Sequence, residues 1–249
     1  MSEFLFVSDL DNTFVGDDDA LAELQQQLSQ HRKDYGTKIV YATGRSPVLY
    51  RELKAEKSLI DPDALVTSVG TEIYPNDASD TPDAEWSEIL SQGWDRQTIV
   101  STCADFGELE PQPDTEQRPF KVSYFVSETA VTKIVPELES RLAKQGLSVK
   151  LVFSGGKDFD VLPIKGNKGL AMQFLASRWG IPCDRTVACG DSGNDVALFS
   201  VGDERGIMVG NARPELLAWH QSNPSPHIYL AKAHCAGGIL EGLKYFGFI

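Results

Sequence analysis

Short apolar runs recur along this chain at intervals that leave room for one helix between them, and the rhythm breaks only in the middle. Residues 4–8, 38–42 and 64–69 read as strands, with helical spacing over 19–32 and 47–56 between them. The rhythm resumes after Asp158. A helix over 168–179 ends at the stop signals Gly180 and Pro182, followed by a strand over 186–189, a short helix over 195–200 and a strand over 206–209. A helix over 214–220, a short strand over 228–230 and a terminal helix over 238–245 complete it. Strands that alternate with helices imply a mostly parallel sheet covered on both faces. The expected fold is therefore α/β, with a doubly wound Rossmann-like parallel-sheet core. In such sheets ligands gather beyond the carboxyl ends of the strands. Asp9, Thr43, Gly70 and Asp191 all fall just past predicted strand ends.

The middle of the chain differs. Residues 75–88 and 110–119 are rich in Pro, Asp and Glu and read as turns or connectors. Around them come a helical stretch near 94–106, a strand over 121–126, an amphipathic helix over 131–144, and strands over 148–153 and 159–162. This change of pattern predicts an α+β cap over 77–162, inserted between two halves of a core formed by 1–76 and 163–249. A hinge is expected within 75–88.

Composition removes several classes of function. A formal net charge of −13 argues against nucleic acid or an anionic membrane as partner. The same field opposes an anionic substrate at long range, so local cations must offset it. No apolar run approaches the ~18 residues of a membrane-spanning helix, and no signal-peptide n-region is visible, so the expected location is cytoplasmic. Cys103, Cys183, Cys189 and Cys235 lack C-x-x-C spacing and read as reduced thiols; the four histidines are scattered and give no zinc signature.

Two acidic strand ends stand out. The run Phe4-Leu5-Phe6-Val7 empties into Asp9-Leu10-Asp11-Asn12-Thr13, and Thr186-Val187-Ala188-Cys189 empties into Gly190-Asp191-Ser192-Gly193-Asn194-Asp195. Asp-x-Asp spacing by itself is cheap, since it recurs at Asp17/Asp19, Asp61/Asp63 and Asp158/Asp160. Two remote strand ends that both deliver carboxylates point instead to one assembled cluster, and oxygen-only ligands favour Mg²⁺ over zinc. Cleavage of a phosphate ester needs a nucleophile, a proton donor for the leaving alcohol and neutralised charge at phosphorus. Asp9 suits the first role and Asp11 the second. Metal ligands would be Asp9, Asp11 and Asp191, with Asn194 and Asp195 behind them; the plainer reading of Asn194 and Asp195 is helix-start residues. Thr43-Gly44-Arg45 offers a hydroxyl and an exposed amide to a phosphate oxygen, against simple N-capping by Thr43. Lys168 lies in a first helical turn, where a cation opposes the helix dipole, which favours a functional role over an ordinary surface lysine. In the insert, Ser154-Gly155-Gly156-Lys157-Asp158 could present amides and charges to sugar hydroxyls, or be a glycine-rich hairpin.

In order, DLDNT, TGR, Lys168 and GDSGND resemble the four motifs of the haloacid dehalogenase superfamily of Mg²⁺-dependent phosphatases. Together with Val69-Gly70-Thr71-Glu72-Ile73-Tyr74, Phe120-Lys121-Val122-Ser123-Tyr124 and Ser154–Asp158, they are similar to the sucrose-phosphate phosphatase family. That resemblance implies hydrolysis of sucrose 6-phosphate through an aspartyl-phosphate on Asp9, with Asp11 as acid and base and Thr43 and Lys168 holding phosphate. It implies substrate contacts from Thr43, Gly44, Gly70, Thr71, Glu72, Lys121, Ser154, Lys157 and Asp158. A small sugar phosphate is then the ligand, and a sucrose-phosphate synthase is the protein partner the resemblance raises. Open alternatives are a trehalose- or hexose-phosphate phosphatase, a phosphomannomutase, or a non-catalytic sugar-binding partner of such a synthase.

Overall fold

The structure, a computed structural model, describes residues 2–249. Its core is a seven-stranded sheet in which β1 (Leu5–Ser8) is central. On one side of it lie β2 (Lys38–Ala42), β3 (Ala64–Thr67) and β4 (Glu72–Tyr74); on the other lie β9 (Thr186–Gly190), β10 (Arg205–Met208) and β11 (Ile228–Leu230). Every pairing is parallel except β3 with β4.

Alternation along the strands decides which face each helix covers. Phe4, Phe6, Ile39, Tyr41, Val187 and Ile207 point to one side, where α1 (Asp18–Tyr35), α2 (Pro47–Lys57) and α9 (Cys235–Tyr245) pack. Leu5, Val7, Val40, Ala42, Ala188 and Met208 point to the other, against α3 (Ala84–Ser91), α6 (Lys168–Trp179), α7 (Val196–Ser200) and α8 (Pro214–Ser222). Each fully buried Leu or Phe contributes about 1.5–3 kcal/mol of transfer free energy. The doubly wound reading of the sequence therefore holds.

The insert forms a second layer around its own hydrophobic cluster. An antiparallel sheet of order β5 (Glu110–Pro111), β6 (Val122–Phe125), β8 (Asp158–Pro163), β7 (Val149–Ser154) carries α4 (Arg96–Cys103) and α5 (Glu128–Lys144) on one face. Val122, Tyr124, Phe159 and Val161 pack beneath these helices with Ile99, Leu138 and Leu142. The intervening positions Ser123, Asp158 and Asp160 belong to the opposite face by the same period of two.

The expected start of the insert at 77 needs correction. Residues 84–91 form α3, capped by the Asp83 carboxylate accepting from the Trp86 amide, and α3 packs on the core rather than on the insert. Trp86 Nε1 donates to the Gly70 carbonyl at 3.1 Å, and Arg178 of α6 pairs with Asp83 and Glu85. α3 takes up the last part of the segment 75–88 in which a hinge is expected. The chain crosses into the cap between α3 and α4 and returns after β8.

Candidate active site

β1 and β9 are neighbours in register, with Ser8 opposite Cys189, so the next turns deliver Asp9 and Asp191 side by side. Asp9 is anchored by its own amide, which donates to the Cys189 carbonyl at 3.0 Å. Lys168, the first residue of α6, reaches between the two strand ends and is completely buried. Its Nζ donates to Asp9 Oδ1 at 2.7 Å, Asp195 Oδ1 at 2.7 Å and Asn194 Oδ1 at 2.9 Å. Asp195 Oδ2 accepts the backbone amides of Asp191 and Ser192, both at 3.0 Å, and Thr13 Oγ1 donates to Asp191 Oδ1 at 3.1 Å.

Oxygens of Asp9, Asp191 and Asp195 lie within 4.8 Å of one another; Lys168 pairs with Asp9 and Asp195, and Arg213 Nε lies 3.9 Å from Asp191 Oδ2. Burial pushes the Asp9 carboxyl up to about 8 against the pull of Lys168, and Asp195 and Asp191 add to the rise. Asp191 rises to about 6, through burial first and Asp195 second. Burial works to lower Lys168, yet Asp195 and Asp9 carry it upward. Two cations, Lys168 and Arg213, against three carboxylates still leave a deficit of positive charge, which a hard divalent ion would fill. Both Asp195 oxygens are already engaged, so Asp9 and Asp191 are the side chains left to hold such an ion, with Asp195 and Asn194 behind them.

The Asp11 carboxylate, expected in this cluster, lies outside it in this structure. It turns away and accepts two bonds from Arg45, Nε at 2.8 Å and Nη2 at 2.7 Å, while Arg45 Nη1 donates to the Leu49 carbonyl. A planar guanidinium matches a carboxylate in this two-pronged way, which outcompetes a third place in a negatively charged cluster.

Above these groups lies a cavity of about 420 Å³ between core and cap. Asp9, Asp11, Gly44, Arg45, Asp191 and Asn194 form its floor, and Lys121, Ser154, Asp158, Gln112, Glu116 and Asp160 its roof. Lys121 Nζ is held by Ser123 Oγ at 2.6 Å and lies 3.3 Å from Asp160 Oδ1. Thr43 and Lys168 lie beneath the floor, and Thr43 Oγ1 accepts the Arg45 amide at 3.1 Å.

Four expected sugar contacts do not reach the cavity. Gly70, Thr71 and Glu72 are buried at the β3–β4 turn. There Ser68, Val69 and Gly70 run at φ of +53°, +62° and +95°. A Cβ on Gly70 would come within 2.2 Å of the Asn167 backbone, so glycine is needed for packing rather than for ligand. Thr71 Oγ1 donates to the Ser68 carbonyl, and Glu72 pairs with Arg118. Lys157 lies outside the lining, its Nζ 5.5 Å from the centre of the Phe125 ring. Sequence reasoning in turn missed Arg45, Gln112, Glu116, Asp160 and Arg213. Of these, Asp160 was recoverable from its alternation with Asp158; Gln112 and Glu116 sit in an irregular segment that carries no pattern.

Fold and acidic centre together define a haloacid dehalogenase-type phosphatase scaffold. Solved relatives at low identity share the fold, among them a Bacillus subtilis haloacid dehalogenase-like hydrolase with 21% identity and a TM-score of 0.67, covering 98% of this chain and 92% of that one. A sequence model of the sucrose-6F-phosphate phosphohydrolase family matches residues 2–247, and the chain belongs to that family. It is 43% identical over 252 residues to probable sucrose-phosphatase 2 of Arabidopsis thaliana, covering 97% of this chain and 59% of that one. The Synechocystis sucrose-phosphatase, solved in complex with sucrose and phosphate, superposes with a TM-score of 0.91 at 40% identity, covering 99% of each chain. Mannosylfructose-phosphate phosphatase of Agrobacterium fabrum is 32% identical over 244 residues, covering 98% of this chain and 96% of that one. The chain spans 59% of the length of the plant relatives it matches.

Proposed function

We propose that the chain hydrolyses sucrose 6-phosphate to sucrose and inorganic phosphate, with Mg²⁺ as cofactor. The observation that carries the reading is the buried Asp9–Lys168–Asp195 arrangement opening onto a cavity that the cap roofs with polar side chains. Lys168 occupies Oδ1 of Asp9, which leaves Oδ2 to attack phosphorus. As the new bond forms, the bond from phosphorus to the sugar oxygen breaks, and Asp11 gives its proton to that oxygen. Asp11 then accepts a proton from the water that attacks the aspartyl-phosphate, releasing phosphate and restoring Asp9. To serve in this cycle Asp11 must exchange the Arg45 partner it holds here. A divalent cation held by Asp9 and Asp191 would supply charge neutralisation at the phosphoryl oxygens. Lys168 fixes the nucleophile, and the Gly44 backbone with the cap walls orients the ester and excludes water.

The mannosylfructose-phosphate relative supports a wider substrate class, a phosphorylated disaccharide that includes fructose. Among the described residues no helix is long and apolar enough to cross a membrane. The four free thiols support a reducing, cytoplasmic place for the reaction. The deciding assay is phosphate release from sucrose 6-phosphate, mannosylfructose phosphate, trehalose 6-phosphate and glucose 6-phosphate, with and without Mg²⁺. Preference for a monosaccharide phosphate would overturn the disaccharide assignment.

A further inference from the structure

Glu72 belongs to the core sheet, and Arg118 belongs to the cap loop that carries Gln112, Glu116 and Lys121 into the cavity. Arg118 Nε donates to Glu72 Oε1 at 2.9 Å, and its Nη2 lies 3.4 Å from the Tyr74 hydroxyl. Glu72 is 3% exposed and has both oxygens in use, since Oε2 accepts from Thr67 Oγ1 and Tyr74 OH at 3.2 Å each. A carboxylate this buried is tolerated because its partners are complete.

The same arginine sets the register of the cavity lysine. Backbone bonds run both ways between Arg118 and Lys121, from the Arg118 amide at 3.0 Å and back from the Lys121 amide at 3.3 Å. The turn is also gripped from the crossing into the cap. Trp94 Nε1 donates to the Pro119 carbonyl at 2.9 Å and Arg96 Nε to the Arg118 carbonyl at 3.1 Å. The loop is thus bonded to the core at one point and to the cap at others. Its cavity-facing groups are placed relative to Asp9 by a pair that itself touches no part of the cavity.

We propose that Glu72 and Arg118 are positioning residues for substrate selection: their ion pair fastens the Gln112–Lys121 loop to the core and so fixes where Lys121 and Glu116 meet the sugar. The assignment rests on the reading that the cap recognises a disaccharide phosphate. It separates the roof of the cavity into two parts, a loop tethered to the core and the β7–β8 hairpin, for which no such tether exists among the described hydrogen bonds and ion pairs.

The test uses Arg118→Ala, Glu72→Gln and the double variant, with Arg118→Lys as the conservative partner. For each, kcat and KM are measured with sucrose 6-phosphate and with p-nitrophenyl phosphate, and amide hydrogen exchange is followed over residues 112–123. Arg118→Ala should lower kcat/KM for the disaccharide phosphate about tenfold or more, the scale of one lost charge-assisted hydrogen bond, mainly through KM. The small ester should change less than about twofold, within the range expected when only the cap contacts are disturbed. Glu72→Gln should shift the same quantity in the same direction, the double variant should add little to Arg118→Ala, and Arg118→Lys should recover part of the loss. Exchange of the loop amides should accelerate in Arg118→Ala. Equal losses on both substrates, full additivity of the two changes, or unaltered loop exchange would overturn the assignment. If the wild-type protein shows no preference for a disaccharide phosphate, the proposed function fails, and the exchange measurement still decides the tether.

Discussion

Replacing Lys168 by Met isolates what one buried cation does in this site. Methionine fills a similar volume, so the change is chiefly loss of charge at a position with no exposure and three acceptors within 2.9 Å. Removing one partner of a buried ion pair costs about 3–5 kcal/mol, because the remaining charge stays desolvated. Here two carboxylates, Asp9 and Asp195, lose the partner at once, which puts the expected loss at the upper end of that range. For a chain of this size, about 2–4 °C of midpoint per kcal/mol gives a fall of roughly 10–20 °C at neutral pH. Two signatures identify the cause as charge. The deficit should shrink as pH falls from 8 to 5, since protonation relieves the clustered carboxylates. Mg²⁺ should also recover about 2.7 kcal/mol when present at a hundredfold excess over its dissociation constant. Thermal and urea unfolding in both pH conditions, with and without Mg²⁺, provide the measurement. A loss under about 1 kcal/mol, or one independent of pH and metal, would refute the charge argument.

The metal-free wild-type protein should itself become less stable as pH rises. Asp9 and Asp191 have native values raised from 3.8 to about 8 and about 6, so the folded chain retains protons that the unfolded chain has released. Their contribution is complete below about pH 4 and is lost as pH climbs through those native values, at up to about 1.4 kcal/mol per pH unit per proton; Mg²⁺ should flatten the curve measured by urea titration. Asp9→Asn should lose turnover by several orders of magnitude on every ester yet raise metal-free stability at pH 8, as one of the crowded charges is gone; near-normal phosphate release would exclude Asp9 as nucleophile. Gly70→Ala should cost several kcal/mol and impair all substrates alike, because its Cβ would collide with the Asn167 backbone beside Lys168; unfolding midpoints and p-nitrophenyl phosphate turnover check both effects.

What the sequence made legible was whatever repeats or ends a repeat. β1 and β9 announce themselves as apolar runs, and the acidic residues just past their ends point to one centre. Lys168 stood out for the opposite reason, as a cation at the wrong end of a helix. Helix α3 was hidden because Pro, Asp and Glu crowd the segment before it, although Trp86, Ile89 and Leu90 carry the helical spacing and Asp83 the cap. The fate of Asp11 could not be read from its neighbours, since it depends on Arg45, 34 positions away along the chain. Glu72 and Gly70 lie in a motif that resembles a substrate loop, and only packing separates a residue that touches sugar from one that supports its surroundings. Ion pairs across the two layers have no period, so Glu72–Arg118 leaves no trace in the sequence pattern.

The bent turn at 68–70 has a consequence for how such a centre can change over time. Ser68 and Val69 each occupy a backbone region that costs about 1–3 kcal/mol, most severely for a β-branched side chain. The Ser68 amide donates to the Arg45 carbonyl and the Val69 amide to the Thr43 carbonyl, while Gly70 meets Asn167. Three sequence-distant loops are therefore keyed together at one knot of stored strain. A substitution there disturbs several reactive groups simultaneously, so selection for a new sugar finds almost no neutral steps in this region. On β8 the roof faces less of this constraint, because there Asp158 and Asp160 face the cavity and alternate with Phe159 and Val161, which hold the cap together. Diversification of substrate is thereby channelled outward, into positions that can vary without unsettling the attack on phosphorus.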